Sequence, residues 1–437
     1  MEELRLIIQQ LEKRIEELTH KNEHLEAMLL EAYAQIAAQK VKKTSSNSSI
    51  PPSHDLRRKN KSLREKSDKK SGGQKGHKGT TLTFTGTPDE VEEIRPNFCQ
   101  GCGADISEKE PDKVVSNYLV DVVIRRKVTQ QNQYQVTCTC GKVHRPERKP
   151  NIQYGTVASA LITYLNTQHY LSFKRITDLM KEVAGIPISQ GTVANKLKEA
   201  GKNAEKAVEF IRKEIEKSAV VGADETGISH NGKKHWFWVF QTSRHTLIHS
   251  AQSRGKSVIN QLFPDGLPNS ILVSDRYAAY QNLVTRGRQV CLAHLLREAI
   301  YCVEVEKTDW AKQVVQWCRD CFSSEIDLKE LPARLVRLLT ETVSHDTRET
   351  KKLYNALQKN APWMTTFVHH EEVPPDNNAS ERAIRHVKCK AKICGQFKTE
   401  IGSQIYAYLH SLVDTARKNA QDVFNVFKNV AQNFATT

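Results

Sequence analysis

Three acidic residues stand where a carboxylate is costly to place. Val220-Val221-Gly222-Ala223 runs straight into Asp224 and Glu225, and Ser270-Ile271-Leu272-Val273-Ser274 runs into Asp275. Apolar, β-branched runs that end in an acid read as buried strands delivering it to a sheet edge. A third acid, Glu381, follows Asp376-Asn377-Asn378 at an expected helix start. Carboxylates from three separate elements suit two Mg²⁺ ions, or Mn²⁺, because a hard cation takes oxygen ligands and keeps several of its waters. The chemistry such a set serves is phosphodiester cleavage. Both nucleophile and leaving group are poor there, and two ions roughly 3.5–4 Å apart attend to one each. Asp224 would bridge the ions, Asp275 would hold one and Glu381 the other. Alternation along a strand sends Glu225 to the opposite face, behind the site. Asp376-Asn377-Asn378 would cap the helix that carries Glu381.

Composition says what such a site would act on. The 437-residue chain carries a formal charge of +15, which favours a polyanionic partner. Between Lys40 and Lys78 there are 13 Lys+Arg against 3 Asp+Glu, so +10 of the +15 lies in that stretch. At 38% hydrophobic the chain can bury a sizeable core, divided among two to four domains. No apolar run approaches the roughly 18 residues of a membrane span, and Met1-Glu2-Glu3-Leu4 is not a signal peptide. A cytoplasmic location is expected. The 10 cysteines are mostly scattered, which fits a reduced protein using some of them for metal better than a disulfide framework.

The elements that must position the acids follow in order. Residues 1–39 read as one helix with a heptad repeat. Leu4, Leu11, Leu18 and Leu25 occupy one seam position, and Ile8, Ile15, Asn22, Leu29 and Ile36 the other. Ile at a, Leu at d and one Asn at a favour a parallel dimeric coiled coil; the alternative is an amphipathic helix docked on its own globular body. Residues 40–87 form a basic linker that cannot bury enough apolar surface to order itself. Arg57, Arg58, Lys59, Lys61, Lys69 and Lys70 could track phosphates there, or the stretch is a solvating spacer. Residues 88–150 read as a β-rich module with strands near Tyr118–Lys127 and Gln131–Val136. Its Cys99-x2-Cys102 and Cys138-x-Cys140 pairs would close a tetrahedral structural zinc site of the ribbon kind. His144 could replace one cysteine, and free thiols are the alternative.

Residues 151–217 read as helices. Ser172–Val183, a turn at Gly185, and Ser189–Ala200 have the spacing of a helix-turn-helix. Gln190, Thr192, Asn195 and Lys196 could then face a major groove; a plain helical hairpin has the same pattern. Residues 218–292 and 371–402 give the order β-β-β-α-β-α-β and a closing helix, an α/β RNase H-like core. A helical insertion, 293–370, interrupts it. Residues 403–437 read as a C-terminal helix, with Gln404–Phe434 amphipathic throughout. Within the insertion, Cys318-x2-Cys321 lies in helical sequence and reads as packing.

The chain resembles bacterial transposases of the insertion-sequence 66 family over nearly its whole length. The residues carrying the likeness are Gly222-Ala223-Asp224-Glu225-Thr226, His235-Trp236-Phe237-Trp238-Val239, Ser274-Asp275-Arg276-Tyr277-Ala278-Ala279-Tyr280, Cys291-Leu292-Ala293-His294 and Pro375–Arg385. Asn47–Ser53 is similar to a linker motif of the family, and the four-cysteine module resembles its zinc segment. The resemblance implies metal-dependent cleavage at element ends, then attack of the freed 3′-hydroxyl on target DNA, with the catalytic roles on Asp224, Asp275 and Glu381. It implies double-stranded DNA as partner, a homodimer or higher multimer, accessory proteins of the same element, and a nucleoid-associated enzyme. His294 could touch DNA or orient a phosphate, or be structural. Arg382 and Arg385, one helical turn apart, could clamp a phosphate or brace Glu381. Two other functions fit the same residues: a catalytically silent DNA-binding regulator, and a hydrolytic nuclease or resolvase. Only the product, joined strands or free ends, separates the last from a transposase.

Overall fold

The computed structural model describes residues 2–41, 43–44, 47–48, 76–79, 84–147, 151–340 and 347–432. Arg57, Arg58, Lys59, Lys61, Lys69 and Lys70 lie outside the described residues. The chain divides into two compact units, Ser62–Gln130 and the combination of Met1–Lys61 with Gln131–Thr437.

In the smaller unit Cys99 and Cys102 sit on a tight turn. Gly103 N–H donates to Cys99 O at 2.9 Å, and Cys99 N–H to Ala104 O at 2.8 Å. The strand expected over Tyr118–Lys127 does not form. Leu119, Val120, Val122 and Val123 are exposed, so the alternation found no second layer to pack on, and a strand without a buried face is not held.

The larger unit begins with α1 (Glu2–Lys40), a single helix. Ile8, Leu11, Ile15, Leu18, Leu25, Leu29 and Ile36 along its seam are all exposed. The residues that follow α1 return to the body: the Lys43 ammonium lies 4.8 Å from the Tyr301 ring centroid, and Asn47 Nδ2 donates to Glu304 Oε2 at 2.6 Å. A hairpin of two-residue strands, β1 (Val136–Thr137) with β2 (Val143–His144), forms next, and of the second expected strand it holds only Val136. Helices α2 (Thr156–Thr167), α3 (Phe173–Glu182) and α4 (Gln190–Lys217) come next. The α3–α4 turn uses Gly185 at φ +63°. Ser189 caps α4, its Oγ accepting from Thr192 N–H at 3.1 Å. That helix runs to Lys217, far beyond the Ala200 boundary expected of a recognition helix, because Ala204, Val208, Ile211 and Ile215 continue its buried stripe.

The sheet follows: β3 (Val220–His230), β4 (Lys233–Gln241), β5 (Thr246–Ala251), α5 (Lys256–Leu262), β6 (Leu267–Ser274), α6 (Ala278–Gln281) and β7 (Thr285–Val290). Strand order is β5-β4-β3-β6-β7. The first three strands are antiparallel, and β3-β6-β7 are parallel. Asn231 and Gly232, at φ +46° and +76°, make the β3–β4 turn, as an Asn-Gly pair should. Period-two alternation then builds two cores. Val221, Ala223, Trp238, Phe240, Leu247 and Leu272 face α2–α5 and α14 (Val423–Ala431). Phe237, Val239 and Ile248 face the opposite layer, with Ala383, Ile384 and Val387 of α12 (Asn378–Cys394).

Ile271 and Val273 meet a third core, that of the insertion. It comprises α7 (Leu292–Glu306), α8 (Asp309–Asp320), α9 (Leu331–Thr340), α10 (Arg348–Asn360) and α11 (Thr366–His369). Trp310 and Trp317 are buried there, their indole N–H groups donating to Leu338 O and Leu331 O at 2.9 and 3.0 Å. Cys318 and Cys321 are buried in the same core, and burial pushes both thiols up. The insertion leaves and rejoins the core at one place, where Leu292 N–H donates to Pro375 O at 3.0 Å.

The C-terminal stretch is two helices rather than one. α13 (Glu400–Lys418) ends at Asn419, Ala420 takes φ +54°, and Asp422 caps α14. α13 closes the edge of the sheet: Ile248 N–H donates to Ser411 Oγ at 2.8 Å, and Thr246 N–H to Thr415 Oγ1 at 3.0 Å. Side-chain oxygens thus occupy donors that an open edge would offer to another chain. No helix of the described residues is long and apolar enough to cross a membrane. Phe240 is fully buried, edge-on to Phe263 with ring centroids 4.8 Å apart. Phe240→Ala should therefore cost about 3–5 kcal/mol, read as a lower denaturation midpoint.

Candidate functional site

The site opens where the sheet splays. β3 pairs with β6 only from Val220↔Ile271 to Gly222↔Val273. Beyond that β6 ends at Ser274, while β3 runs on to His230 beside β4. Asp224 is therefore in mid-strand rather than at a strand end, opposite Val239 of β4. Asp275 follows the last residue of β6, held in place by Tyr277 N–H donating to its Oδ1 at 2.9 Å. A crevice beyond the carboxyl ends of parallel strands is where open α/β sheets take ligands.

Glu381 arrives from the first turn of α12, and Gly222 lets that helix come close. A β-carbon at Gly222 would lie 2.5 Å from Gln241 Nε2, 2.6 Å from Ser380 Oγ and 3.1 Å from Asn377 Oδ1. Asn377 does not cap α12 with its side chain. It reaches across instead, its Nδ2 donating to Ala223 O at 2.6 Å while its backbone N–H donates to Cys291 Sγ at 3.2 Å. Ser380 Oγ donates to Asn377 Oδ1 at 2.6 Å, fixing the amide. Asp376 takes the local turn, its Oδ1 accepting from Asn378 N–H at 2.9 Å. One buried asparagine, through its side-chain amide and its backbone N–H, thus ties β3, α12 and the start of α7 together beside two of the acids.

All three acids are half-buried, and Asp224 feels the charges of the other two. Burial, and then the charges of Glu225, Asp275 and Glu381, hold Asp224 well above the usual carboxylate range, against the Glu225 N–H that donates to its Oδ1 at 2.9 Å. Burial and Glu225 push Asp275 up to about 6, opposed by the Tyr277 N–H, Arg254 and Arg276. Glu381 is raised by burial, against Arg297, Arg385 and Arg382. Its Oε1 is buried without a hydrogen-bond partner. The three carboxylates and the orphaned oxygen are short of positive charge, although their oxygens do not all come within the 4.8 Å that joins Glu381 to Cys291 and His294. Divalent cations with oxygen preference fit that donor set.

His294 is brought to the same place, its Nε2 3.8 Å from Glu381 Oε1 and its Nδ1 3.3 Å from Cys291 Sγ. Burial and then Arg297 and Arg276 push it down to about 4, so the imidazole is neutral at pH 7. Burial pushes the Cys291 thiol up to about 12, which keeps it protonated and a poor metal ligand. Glu225 points away from the acids. It is ion-paired with Arg254, whose Nε donates to Oε1 at 2.9 Å, and it accepts from the Tyr280 hydroxyl. The Arg254 guanidinium lies over the rings of Tyr277 and Trp236, at 4.0 and 4.8 Å.

Arg382 and Arg385 are exposed on α12 and act on Glu381 only as nearby charges. Gln190 and Asn195 are exposed at the start of α4, and Thr192 and Lys196 are half-buried. Lys196 Nζ is paired with Glu199 at 2.9 Å. Cys138 and Cys140 sit on a turn closed by Gly141 N–H donating to Cys138 O at 2.8 Å, and His144 lies in β2. In both cysteine pairs the first thiol is lowered by backbone N–H donors that follow it, chiefly those of Gly101 and of Cys140. Each turn also holds a glycine at positive φ, Gly103 at +74° and Gly141 at +83°.

Residues 151–405 match the family described as Transposase IS66 family, and residues 1–83 match a family of unknown function (DUF6444). No curated protein matches the chain. The chain belongs to the IS66 transposase family, whose matched segment takes in all three acids, the helices α2–α4 before the sheet and the helical insertion.

Gly222→Ala should force α12 away from β3. It should cost about 1–3 kcal/mol as an overpacked site, seen as a lower thermal midpoint. Asn377→Ala, which leaves Ala223 O without its donor, should lose a similar amount.

Proposed function

We propose that the chain is a DDE transposase with an RNase H-like core, cutting DNA at the ends of its element and joining the freed ends to target DNA. The observation carrying this reading is that Asp224 on β3, Asp275 after β6 and Glu381 in the first turn of α12 face one crevice, where burial, then Glu225, and then Asp275 and Glu381 raise Asp224 well above the usual carboxylate range. The sheet order β5-β4-β3-β6-β7, antiparallel then parallel, supports the fold assignment.

Asp224, Asp275 and Glu381 would hold two Mg²⁺ or Mn²⁺ ions. When bound, such a pair supplies Lewis acidity to the attacking and leaving oxygens. The chain's own groups prepare for this. Asn377 and Gly222 fix how far Glu381 stands from Asp224. Tyr277 N–H holds the Asp275 carboxylate. Neutral His294 beside Glu381 competes with no cation for that carboxylate. Arg297, Arg382 and Arg385 set positive charge on the Glu381 side, where a phosphate backbone can lie. In cleavage, a water oxygen bonds to phosphorus and the bond to the 3′-oxygen breaks, leaving a 3′-hydroxyl. In joining, that hydroxyl bonds to a target phosphorus as a target P–O bond breaks. One phosphodiester replaces another, so no nucleotide cofactor is needed.

The remaining parts bring and hold DNA. The exposed apolar seam of α1 pairs two copies in a coiled coil. The basic arm and the start of α4, with Gln190, Thr192, Asn195 and Lys196, contact DNA. Cys99, Cys102, Cys138 and Cys140 bind a structural zinc; zinc-free protein on elemental analysis would remove that assignment. With end-containing DNA and Mg²⁺, Asp224→Asn, Asp275→Asn and Glu381→Gln should each lower strand joining more than about a hundredfold, on the order of 3 kcal/mol in barrier, while DNA binding persists. Joining unaffected by all three substitutions would sink the catalytic assignment, and free ends without joined product would make the enzyme a nuclease.

A further inference from the structure

At the other end of β3 a second cluster of ligating side chains lies outside the site described above. His230 is the last residue of β3, His235 stands on β4, and Glu400 opens α13. One ligand atom from each lies within 4.8 Å of the other two. The two imidazole rings are 4.8 Å apart between centroids. His230 Nε2 is buried with no hydrogen-bond partner, a costly state for a ring nitrogen unless something occupies it. The Glu400 carboxylate is oriented by Gln252 Nε2, which donates to its Oε1. A carboxylate steadied in this way is a common supporting feature of metal ligands.

The backbone around the cluster is already fixed. Asn231 N–H donates to Phe397 O at 3.1 Å, and Phe397 N–H to Ser229 O at 3.3 Å. Gln396 Oε1 accepts from Gly232 N–H at 3.1 Å. The Asn231-Gly232 turn is thereby held to the residues leading into α13, and Thr399 caps that helix by accepting from Gly402 N–H at 3.0 Å. The three ligands thus come from a hairpin and a helix start whose relative position is set before any ion arrives.

We infer that His230, His235 and Glu400 form a transition-metal site, for Zn²⁺ or an ion of similar preference, which pins the β3–β4 turn to the start of α13. Two imidazoles and one carboxylate are a donor set for a borderline ion, not for Mg²⁺. Ligand bonds of about 2.0–2.1 Å place tetrahedral ligand atoms roughly 3.4 Å apart, so side-chain rotations close the present spread. Solvent takes the fourth position. The site is separate from the three acids. Six residue steps along β3 separate Asp224 from His230, about 20 Å of extended chain.

The test uses full-length protein stripped with a chelator and reloaded with Zn²⁺ or with Co²⁺ as a spectroscopic probe. Glu400 is exposed, so Glu400→Gln is the mild variant, and His230→Gln is the second. Wild type should retain one equivalent of zinc more than either variant. The cobalt difference spectrum, wild type minus variant, should show d–d bands without sulfur charge-transfer absorption, which sets this ion apart from any held by the cysteines. Zinc should raise the melting temperature of wild type more than that of either variant, with the metal-free proteins melting alike. Equal metal content in all three proteins, or a difference spectrum with thiolate charge transfer, would overturn the assignment.

Discussion

The close approach of α12 to β3 at Gly222 is the constraint on which the acidic site depends. Only a residue without a β-carbon leaves room there for Ser380 and Asn377. Only with those two in place does the Asn377 amide reach Ala223 O across the gap. The network runs further: Gln241 donates to Ser380, and Lys418 of α13 donates to Gln241 Oε1 at 2.8 Å. Burial lowers Lys418 to about 8, yet Thr242 O and His245 O also accept from it. A carboxylate on one helix is thus placed by hydrogen bonds that begin on another.

The electrostatics follow from that placement. The antiparallel strands continue past the point where β6 stops, so Asp224 loses a neighbouring strand just where Asp275 and Glu381 enter. Burial makes each of the three acids hold its proton more tightly than in water, and at Asp224 the charges of Asp275 and Glu381 add to it. Glu225, on the reverse of β3, adds to this repulsion although Arg254 and Tyr280 take up its oxygens. Carboxylates placed in this way are unfavourable without positive charge, and the proposed divalent ions would relieve that.

Much of this was legible in the residues. The apolar runs ending in Asp224 and Asp275 gave two of the strands, and the two-residue period gave the reversed direction of Glu225. Gly185, between Ser172–Val183 and Ser189–Ala200, gave the α3–α4 turn. Asp224 read as the end of a strand because apolar residues stop there. The strand continues because the β4 partners Val239, Trp238 and Phe237 carry the pairing onward, and that pairing is non-local. Asn377 read as a helix cap, since local sequence shows the helix start but not the carbonyl that competes for the side chain. Its one available signal was a glycine inside a strand, which often marks a close backbone approach. The strands expected near 118–136 and the unbroken C-terminal helix failed in opposite ways. The first lacked a surface to bury against, and the second was interrupted at Ala420, a residue that rarely takes a left-handed turn.

The insertion between Asp275 and Glu381 is a closed excursion. Leu292 and Pro375 are hydrogen-bonded where it departs and returns, and α7–α11 enclose an apolar core largely of their own. The entropy of closing a loop grows only with the logarithm of its length, so lengthening the excursion costs the core little once its two ends are clasped. The distance between the last two acids is therefore set by that clasp and by Asn377, and is nearly independent of how much chain lies between them.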